Sequence, residues 1–353
     1  MRLRTISTVF ALTIIAMLGA EVFAQPGGRN KKLEVGSAAP GLNVEEWVKG
    51  TFNPGDGDVY VLEFWATWCA PCRKSIPHLT AIQEEYEMDG LKVVGISTDS
   101  ETEKVEPFVN KQGMKMDYIV GIDNRRRTQR AWMDAAGLKG IPAAFIVDKN
   151  GTVQFIGHPL SEEFDDILAK VMTGRYDKKK EQEAAPSIKA AKQFRSGTSW
   201  SEATDAYENA IAIDPIVFAR LNIDLIEMYL LEQRDNEGAY AYINKVISDR
   251  GSEDPELLTW IAEYIATNDQ LTPMNRRMDV AMKAAKTAHS FAKRKTDPKY
   301  LATIALVHFH NGDVDEAIEW QRKAYFSARE KEKDQYKFTL DSYRMQQQHA
   351  VAD

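Results

Sequence analysis

Phe64-Trp65-Ala66-Thr67-Trp68-Cys69-Ala70-Pro71-Cys72-Arg73 is the stretch on which the reading of this 353-residue chain turns. It holds both cysteines of the sequence, Cys69 and Cys72, spaced C-x-x-C. Just upstream, Val59-Tyr60-Val61-Leu62-Glu63-Phe64-Trp65 is an apolar, β-branched and aromatic run, which predicts a buried strand. Downstream, Arg73 to Glu87 reads as a helix with Pro77 inside it. Pro71 suits its first turn, where a missing N–H has no partner to lose. Cys69 therefore falls at a helix N-terminus, where unpaired amides and the helix dipole favour a thiolate. Cys72, one turn later, is in reach of a mixed disulfide formed at Cys69.

Other uses of two cysteines fit less well. An exported domain stapled by disulfides carries more cysteines at wider separations. Structural zinc needs two further ligands, and no histidine pair has suitable spacing. His308 and His310 lie two apart on a helical stretch and point to different faces. A structural disulfide closing so short a loop contributes little through chain entropy. A redox-active pair is the reading that remains.

The same residues, with Pro77 beyond them, resemble the active-site segment of the thioredoxin superfamily, and within it the TlpA/ResA-like extracytoplasmic thiol–disulfide oxidoreductases. Val35-Gly36-Ser37-Ala38-Ala39-Pro40 resembles the lead-in that this group shares with peroxiredoxins. Gly140-Ile141-Pro142-Ala143-Ala144-Phe145-Ile146-Val147-Asp148 resembles the segment carrying the family's cis-proline, followed by a hairpin turn at Lys149-Asn150-Gly151. The likeness runs from about Leu33 to about Gly174 and implies an α/β thioredoxin fold, a central β-sheet flanked by helices. It implies a redox disulfide between Cys69 and Cys72, with no cofactor and no metal. It also implies that Ile141-Pro142 is cis and sits against the cysteines, where Pro142 joins the catalytic set and the neighbouring backbone receives an extended substrate strand. Ile141 and Trp68 would touch that substrate. Glu63, six residues before Cys69, aligns with the family's buried acid, which is usually aspartate. A carboxyl there would be raised in pKa by desolvation and could exchange a proton with Cys72. The alternative is a strand-end glutamate facing solvent, against which stand its apolar neighbours Val61, Leu62, Phe64 and Trp65.

Between the motif helix and Pro142, Leu91 to Thr98 and Tyr118 to Asp123 read as strands, with helices from Glu103 to Gln112 and Thr128 to Ala136. This inserted αβ unit, typical of the group, is expected to cover a sheet edge. His78 and His158 read as surface or packing histidines.

Beyond Gly174 the composition changes. Residues 175–186 are polar and charge-rich, which suits a linker, and 187–350 show only amphipathic helical stretches. Ala203, Tyr207, Ala210 and Pro215 fit the second helix of a tetratricopeptide repeat. Gly312-Asp313 with Ala317 and Ala324 gives a weaker match out of register with the first, so the array reads as irregular. The expected architecture is thus a thioredoxin-like domain over 33–174 followed by an all-α, tetratricopeptide-like domain, the alternative being a helical bundle without repeats.

At the other end, Arg2 and Arg4 precede an apolar run from Ile6 to Leu18, and Val22-Phe23-Ala24 supplies small residues for cleavage. This is the pattern of a secretory signal over 1–24. The rival is a membrane anchor, for which the run is shorter than the roughly 20 residues of a spanning helix. The expected location is periplasmic or otherwise extracytoplasmic. A net charge of −7 argues against a nucleic-acid partner, and Arg125-Arg126-Arg127 and Lys178-Lys179-Lys180 read as solvated surface.

The leading function is reduction of protein disulfides through a Cys69 mixed disulfide that Cys72 resolves, with the helical domain recruiting a client or partner. Ala70-Pro71 offers no hydrogen-bonding side chain to stabilise the thiolate of a strong oxidant, so the direction expected is reducing. In an oxidising compartment that calls for a membrane-embedded electron donor. Two alternatives stand beside it. A thiol peroxidase works in a Thr-x-x-Cys setting, and Thr67 is one residue too near Cys69 for that. The other is a helical-repeat scaffold carrying an inherited, non-catalytic thioredoxin fold.

Overall fold

The computed structural model describes residues 32–55 and 57–352, so the signal segment read at 1–24 lies outside the described residues. Among the described residues no helix is long and apolar enough to cross a membrane.

Residues up to Gly174 build a six-stranded sheet. Its strands are β1 (Val44–Lys49), β2 (Tyr60–Trp65), β3 (Lys92–Ser97), β4 (Ile119–Asp123), β5 (Ala143–Val147) and β6 (Val153–Gly157), in the order β1-β4-β3-β2-β5-β6. β2, β3 and β4 are parallel, and β1, β5 and β6 close the sheet through antiparallel pairs. The inserted strand β4 covers the edge of β3 as expected, and is itself covered by β1. β1 was not legible, because Val44-Glu45-Glu46-Trp47-Val48-Lys49 mixes polar and apolar residues without strict alternation.

The helices of this half are α1 (Cys72–Tyr86), α2 (Val105–Gln112), α3 (Arg127–Gln129) and α4 (Glu162–Met172). Thr128 to Ala136 reads as one helix from sequence, but α3 passes into a π-helical turn over Arg130–Asp134. β2 is buried along its whole length, which is why its residues show no polar face. Strand alternation still divides them. Val61 and Trp65 pack with Ile76 and Leu79 of α1 and Phe164 and Leu168 of α4, whereas Tyr60, Leu62 and Phe64 pack with Trp132 and Phe145 on the other face. By the period of two, Glu63 shares the α1 face with Val61 and Trp65.

The second half is helical throughout, in α5 (Lys178–Ser196), α6 (Trp200–Ile213), α7 (Leu221–Glu227, continued by a π-helical turn), α8 (Asn236–Arg250), α9 (Pro255–Thr267), α10 (Met278–Phe291), α11 (Pro298–His310), α12 (Val314–Ser327) and α13 (Lys333–Ala352). Asp177, Asp235, Asp254 and Asp297 cap α5, α8, α9 and α11 by accepting backbone N–H groups, and Pro255 and Pro298 stand in first turns. α6, α8, α10 and α12 bury the same three positions. Ala203, Tyr207 and Ala210 of α6 correspond to Ala239, Ile243 and Val246 of α8, to Ala281, Ala285 and Ala288 of α10, and to Ala317, Gln321 and Ala324 of α12. Their spacing is uneven, the interval between α8 and α10 being the longest. The matches read at Ala203 and Ala317 thus fall on the first and last of these four helices.

Residues 175–186 are not a loose linker. α5 begins at Lys178 and runs through Pro186. Lys and Glu are good helix formers, so the charge-rich composition that marks a linker fits an exposed helix equally well. Just before it, the largely buried Arg175 pairs with Asp254 and Glu256 and lies over the Trp260 ring, 4.5 Å from its centroid. Further along, Arg329 donates to the Glu85 carbonyl at 3.1 Å and Lys331 pairs with the Glu85 carboxylate, so the helical half also touches the end of α1.

Candidate active site

The site forms where β2 runs into α1. The Cys69 and Cys72 sulfurs are bonded to each other. The Cys72 N–H, an unpaired amide at the helix start, donates to Cys69 Sγ at 3.2 Å. In the dithiol state that donor would stabilise a Cys69 thiolate. Cys69 Sγ also lies 3.7 Å from the Ile141 carbonyl oxygen, and the Ile141–Pro142 bond is cis. Cys69, Cys72, Ile141 and Pro142 are thus brought together. Both cysteines are sheltered in the bonded state, Cys69 being 3% accessible and Cys72 0%. Trp68 is 67% exposed beside them.

The loop bearing the cysteines is pinned to the end of β3 by a residue sequence reasoning missed. The Asp99 carboxylate accepts from the Thr67 N–H at 2.9 Å, the Thr67 hydroxyl at 2.7 Å and the Ser97 hydroxyl at 2.8 Å. Arg73 returns from α1 to donate to the Thr67 carbonyl at 2.8 Å. His78 meets Asp165 at 3.0 Å, and His158 accepts from the Leu160 N–H, so both act locally.

Glu63 is wholly buried under this loop. Its strand neighbours are Gly95 on β3 and Ala144 on β5, both small enough to leave space for it. One carboxyl oxygen accepts from Ser75 at 2.6 Å and the other from Tyr118 at 3.2 Å. Burial pushes the Glu63 pKa up to about 7, and the two hydrogen bonds only partly offset it. Burial, and then the Glu63 charge, raises the Tyr118 phenol well above its usual value, so it stays a donor. The Ser75 hydroxyl also lies 2.9 Å from the Cys72 carbonyl, linking the carboxyl to the backbone of the second cysteine. Ser75 could have been read from its position three residues after Cys72, on the same helix face. Tyr118 carried no such signal, being brought in by tertiary packing.

Tyr118 reaches Glu63 by crossing Gly95. A Cβ on Gly95 would stand 3.0 Å from the Tyr118 ring and 3.1 Å from Trp65 Nε1. Tyr118→Phe should therefore keep the packing but remove one donor to the carboxylate. The Glu63 titration, followed by the carboxyl infrared band, is expected to move upward by about one pH unit. Gly95→Ala, which displaces the ring, should move it the same way, and an unmoved titration in both would show that the bond contributes nothing.

A β-sheet of this order with a disulfide at the head of α1 and a cis-proline facing it defines a thioredoxin-fold thiol–disulfide protein. The AhpC/TSA family matches residues 35–156. The thiol-disulfide oxidoreductase ResA of Bacillus thuringiensis is 30% identical over 145 residues, covering 40% of this chain and 80% of that protein. Protein FixW of Rhizobium leguminosarum is 26% identical over 153 residues, covering 41% of this chain and 68% of that protein. A thiol:disulfide interchange protein of the thioredoxin family from Chlorobium tepidum, known from its crystal structure, is 29% identical, with 38% of this chain and 96% of that chain covered and a TM-score of 0.34. The chain belongs to the ResA family of thiol–disulfide oxidoreductases, with a long all-helical region added after the thioredoxin-like part.

Proposed function

We propose that this protein is an extracytoplasmic reductase of protein disulfides. The observation that carries the reading is the bonded Cys69–Cys72 pair, with a helix-start amide on Cys69 Sγ and a buried acid titrating near neutrality below it. In the dithiol state the Cys69 thiolate attacks a client disulfide, forming a mixed disulfide and releasing one client thiolate. Cys72 then loses its proton and attacks Cys69 Sγ, the second client sulfur leaves with both electrons, and the Cys69–Cys72 disulfide remains. Glu63, half-ionised near pH 7, is suited to take that proton and return it when the pair is reduced again. Trp68 and the backbone at Ile141 receive the client strand, and Pro142 shapes the floor.

A membrane-embedded donor would restore the dithiol, and cleavage after Ala24 would free the chain outside the cytoplasm. The domains are read as 33–174 for catalysis and the helices beyond for recruitment of a client or partner. Four helices burying equivalent positions support a tetratricopeptide-like array in the second half. Nucleic acid is not among the proposed partners. A peroxidase is disfavoured because the Thr67 hydroxyl is committed to Asp99 rather than to a sulfur.

Insulin reduction and peroxide consumption measured on one purified sample separate the readings. Catalysed insulin reduction is expected, with negligible peroxide turnover and a potential below about −200 mV, thioredoxin itself standing at about −270 mV. Peroxide turnover without insulin reduction would favour the peroxidase, and neither activity would favour the scaffold.

A further inference from the structure

The parallel register that pairs Trp65 with Ser97, and Ser97 with Ile122, brings the ends of β2, β3 and β4 to one edge of the sheet. The active-site loop leaves β2 there, and Arg125, Arg126 and Arg127 follow β4 at the same edge. Two strand spacings separate them from the Cys69 loop, about 10 Å. All three arginines are exposed, and none pairs with a carboxylate among the described residues. On the side facing the cysteines the acids are engaged, Asp99 with Thr67 and Ser97, and Glu101 with Lys104, whereas Glu45 and Glu46 lie on β1, across β4 from the cysteines.

The turn displaying them is built rather than slack. Asp123 accepts from the N–H groups of Thr128 and Gln129 at 2.9 and 2.8 Å, and Asn124 is tied to the Asn43 carbonyl. Arg125 and Arg126 are both left-handed, with φ of 50° and 61°. That region is unfavourable for residues with long side chains and is held only where the surroundings impose it. On the opposite side of Cys69, the loop after β6 presents the exposed Leu160, and Trp68 stands between. The β4 wing of this face thus carries three exposed arginines in a chain of net charge −7.

We infer that Arg125, Arg126 and Arg127 dock acidic side chains of the disulfide client, on the β4 side of Cys69. The inference rests on the reductase reading and names a class of substrate for it. About 10 Å is spanned by three extended residues, so the favoured client carries Asp or Glu some three to five positions from its reactive cysteine. Exposed guanidiniums act mainly by raising the encounter rate with an oppositely charged chain, an effect that salt removes.

Two synthetic disulfide peptides test this, one with three acidic residues at that distance and one with glutamines. At low ionic strength the wild-type protein is expected to reduce the acidic peptide with about ten-fold higher kcat/KM, and the preference should shrink in molar salt. The triple variant Arg125→Gln, Arg126→Gln, Arg127→Gln should lose the preference yet reduce hydroxyethyl disulfide at the wild-type rate, while the triple change to lysine keeps it. Equal reduction of both peptides by the wild type, or an undiminished preference in the glutamine variant, would overturn the inference. Failure of the wild type to reduce even hydroxyethyl disulfide would instead overturn the reductase reading beneath it.

Discussion

Cys72→Ser is expected to accumulate covalent adducts with client proteins, joined through Cys69 and released by dithiothreitol, whereas Cys69→Ser traps far less. The two sulfurs differ in surroundings although both are nearly sealed. Cys69 Sγ receives the Cys72 N–H and faces the Ile141 carbonyl, at the point where a client strand would lie. Cys72 is fully buried within the first turn of α1, with Ser75 and Glu63 below it. Removing Cys72 leaves the attacking thiolate intact and deletes the group that completes the exchange, so the first step proceeds and the second stops. Either substitution should lower insulin reduction by about 10³-fold or more, as expected where two groups act as a unit. The chain has no third cysteine, so no internal thiol rescues either variant. Acid quenching followed by mass analysis of the adducts reads the result. Equal trapping by both variants would reverse or abolish the assigned roles.

What sequence revealed and what it hid divides along physical lines. The strand–turn–helix around Cys69 was legible because hydrophobic pattern, proline placement and cysteine spacing all point to one local structure. Glu63 was legible for the same reason: it stands within an unbroken apolar run, which buries it whatever the fold. Asp99 and Tyr118 were not, since both reach the site across strands, from positions whose local sequence reads as loop end and strand start. Tyr118 depends on the missing side chain of Gly95, and only the register of β3 against β2 reveals that gap. In the helical half, α6 and α12 carry alanine at the first and last of the three buried positions and were visible. α8 has Ile243 and Val246 at the second and third, α10 has Ala285 where α6 has Tyr207, and a longer interval between α8 and α10 hid their likeness. The charge-rich start of α5 misled because composition cannot distinguish a solvated helix from a linker, whereas the Asp177 cap and the Arg175 cluster can.

The stability of the oxidised protein should fall between about pH 4.5 and pH 7 through Glu63, and Glu63→Gln should abolish that fall. The sign follows from the direction of the shift. Burial raises the folded-state value from the usual 4.5 to about 7, so the native state holds a proton that the unfolded chain has already lost. The contribution is complete below about pH 4.5, decreases as pH rises through the folded value, and is constant above it. A shift of this size corresponds to about 3 kcal/mol at order of magnitude. Glutamine fills the same space between Gly95 and Ala144 and can still meet the Ser75 and Tyr118 hydroxyls, but it never ionises. The difference between the two proteins therefore isolates Glu63 from every other titrating group. Urea unfolding of both oxidised proteins at pH 4.5, 6 and 8 reads it: the variant should draw level at the lowest pH and lead by about 3 kcal/mol at the highest. Parallel curves would mean that the carboxyl titrates normally, and the proton-transfer proposal would fall with it. The same variant should resolve mixed disulfides about 10²-fold more slowly near pH 7, the usual worth of a positioned proton acceptor. A buried acid that lowers stability at the pH where it speeds the reaction is the signature of a group placed for chemistry rather than for packing.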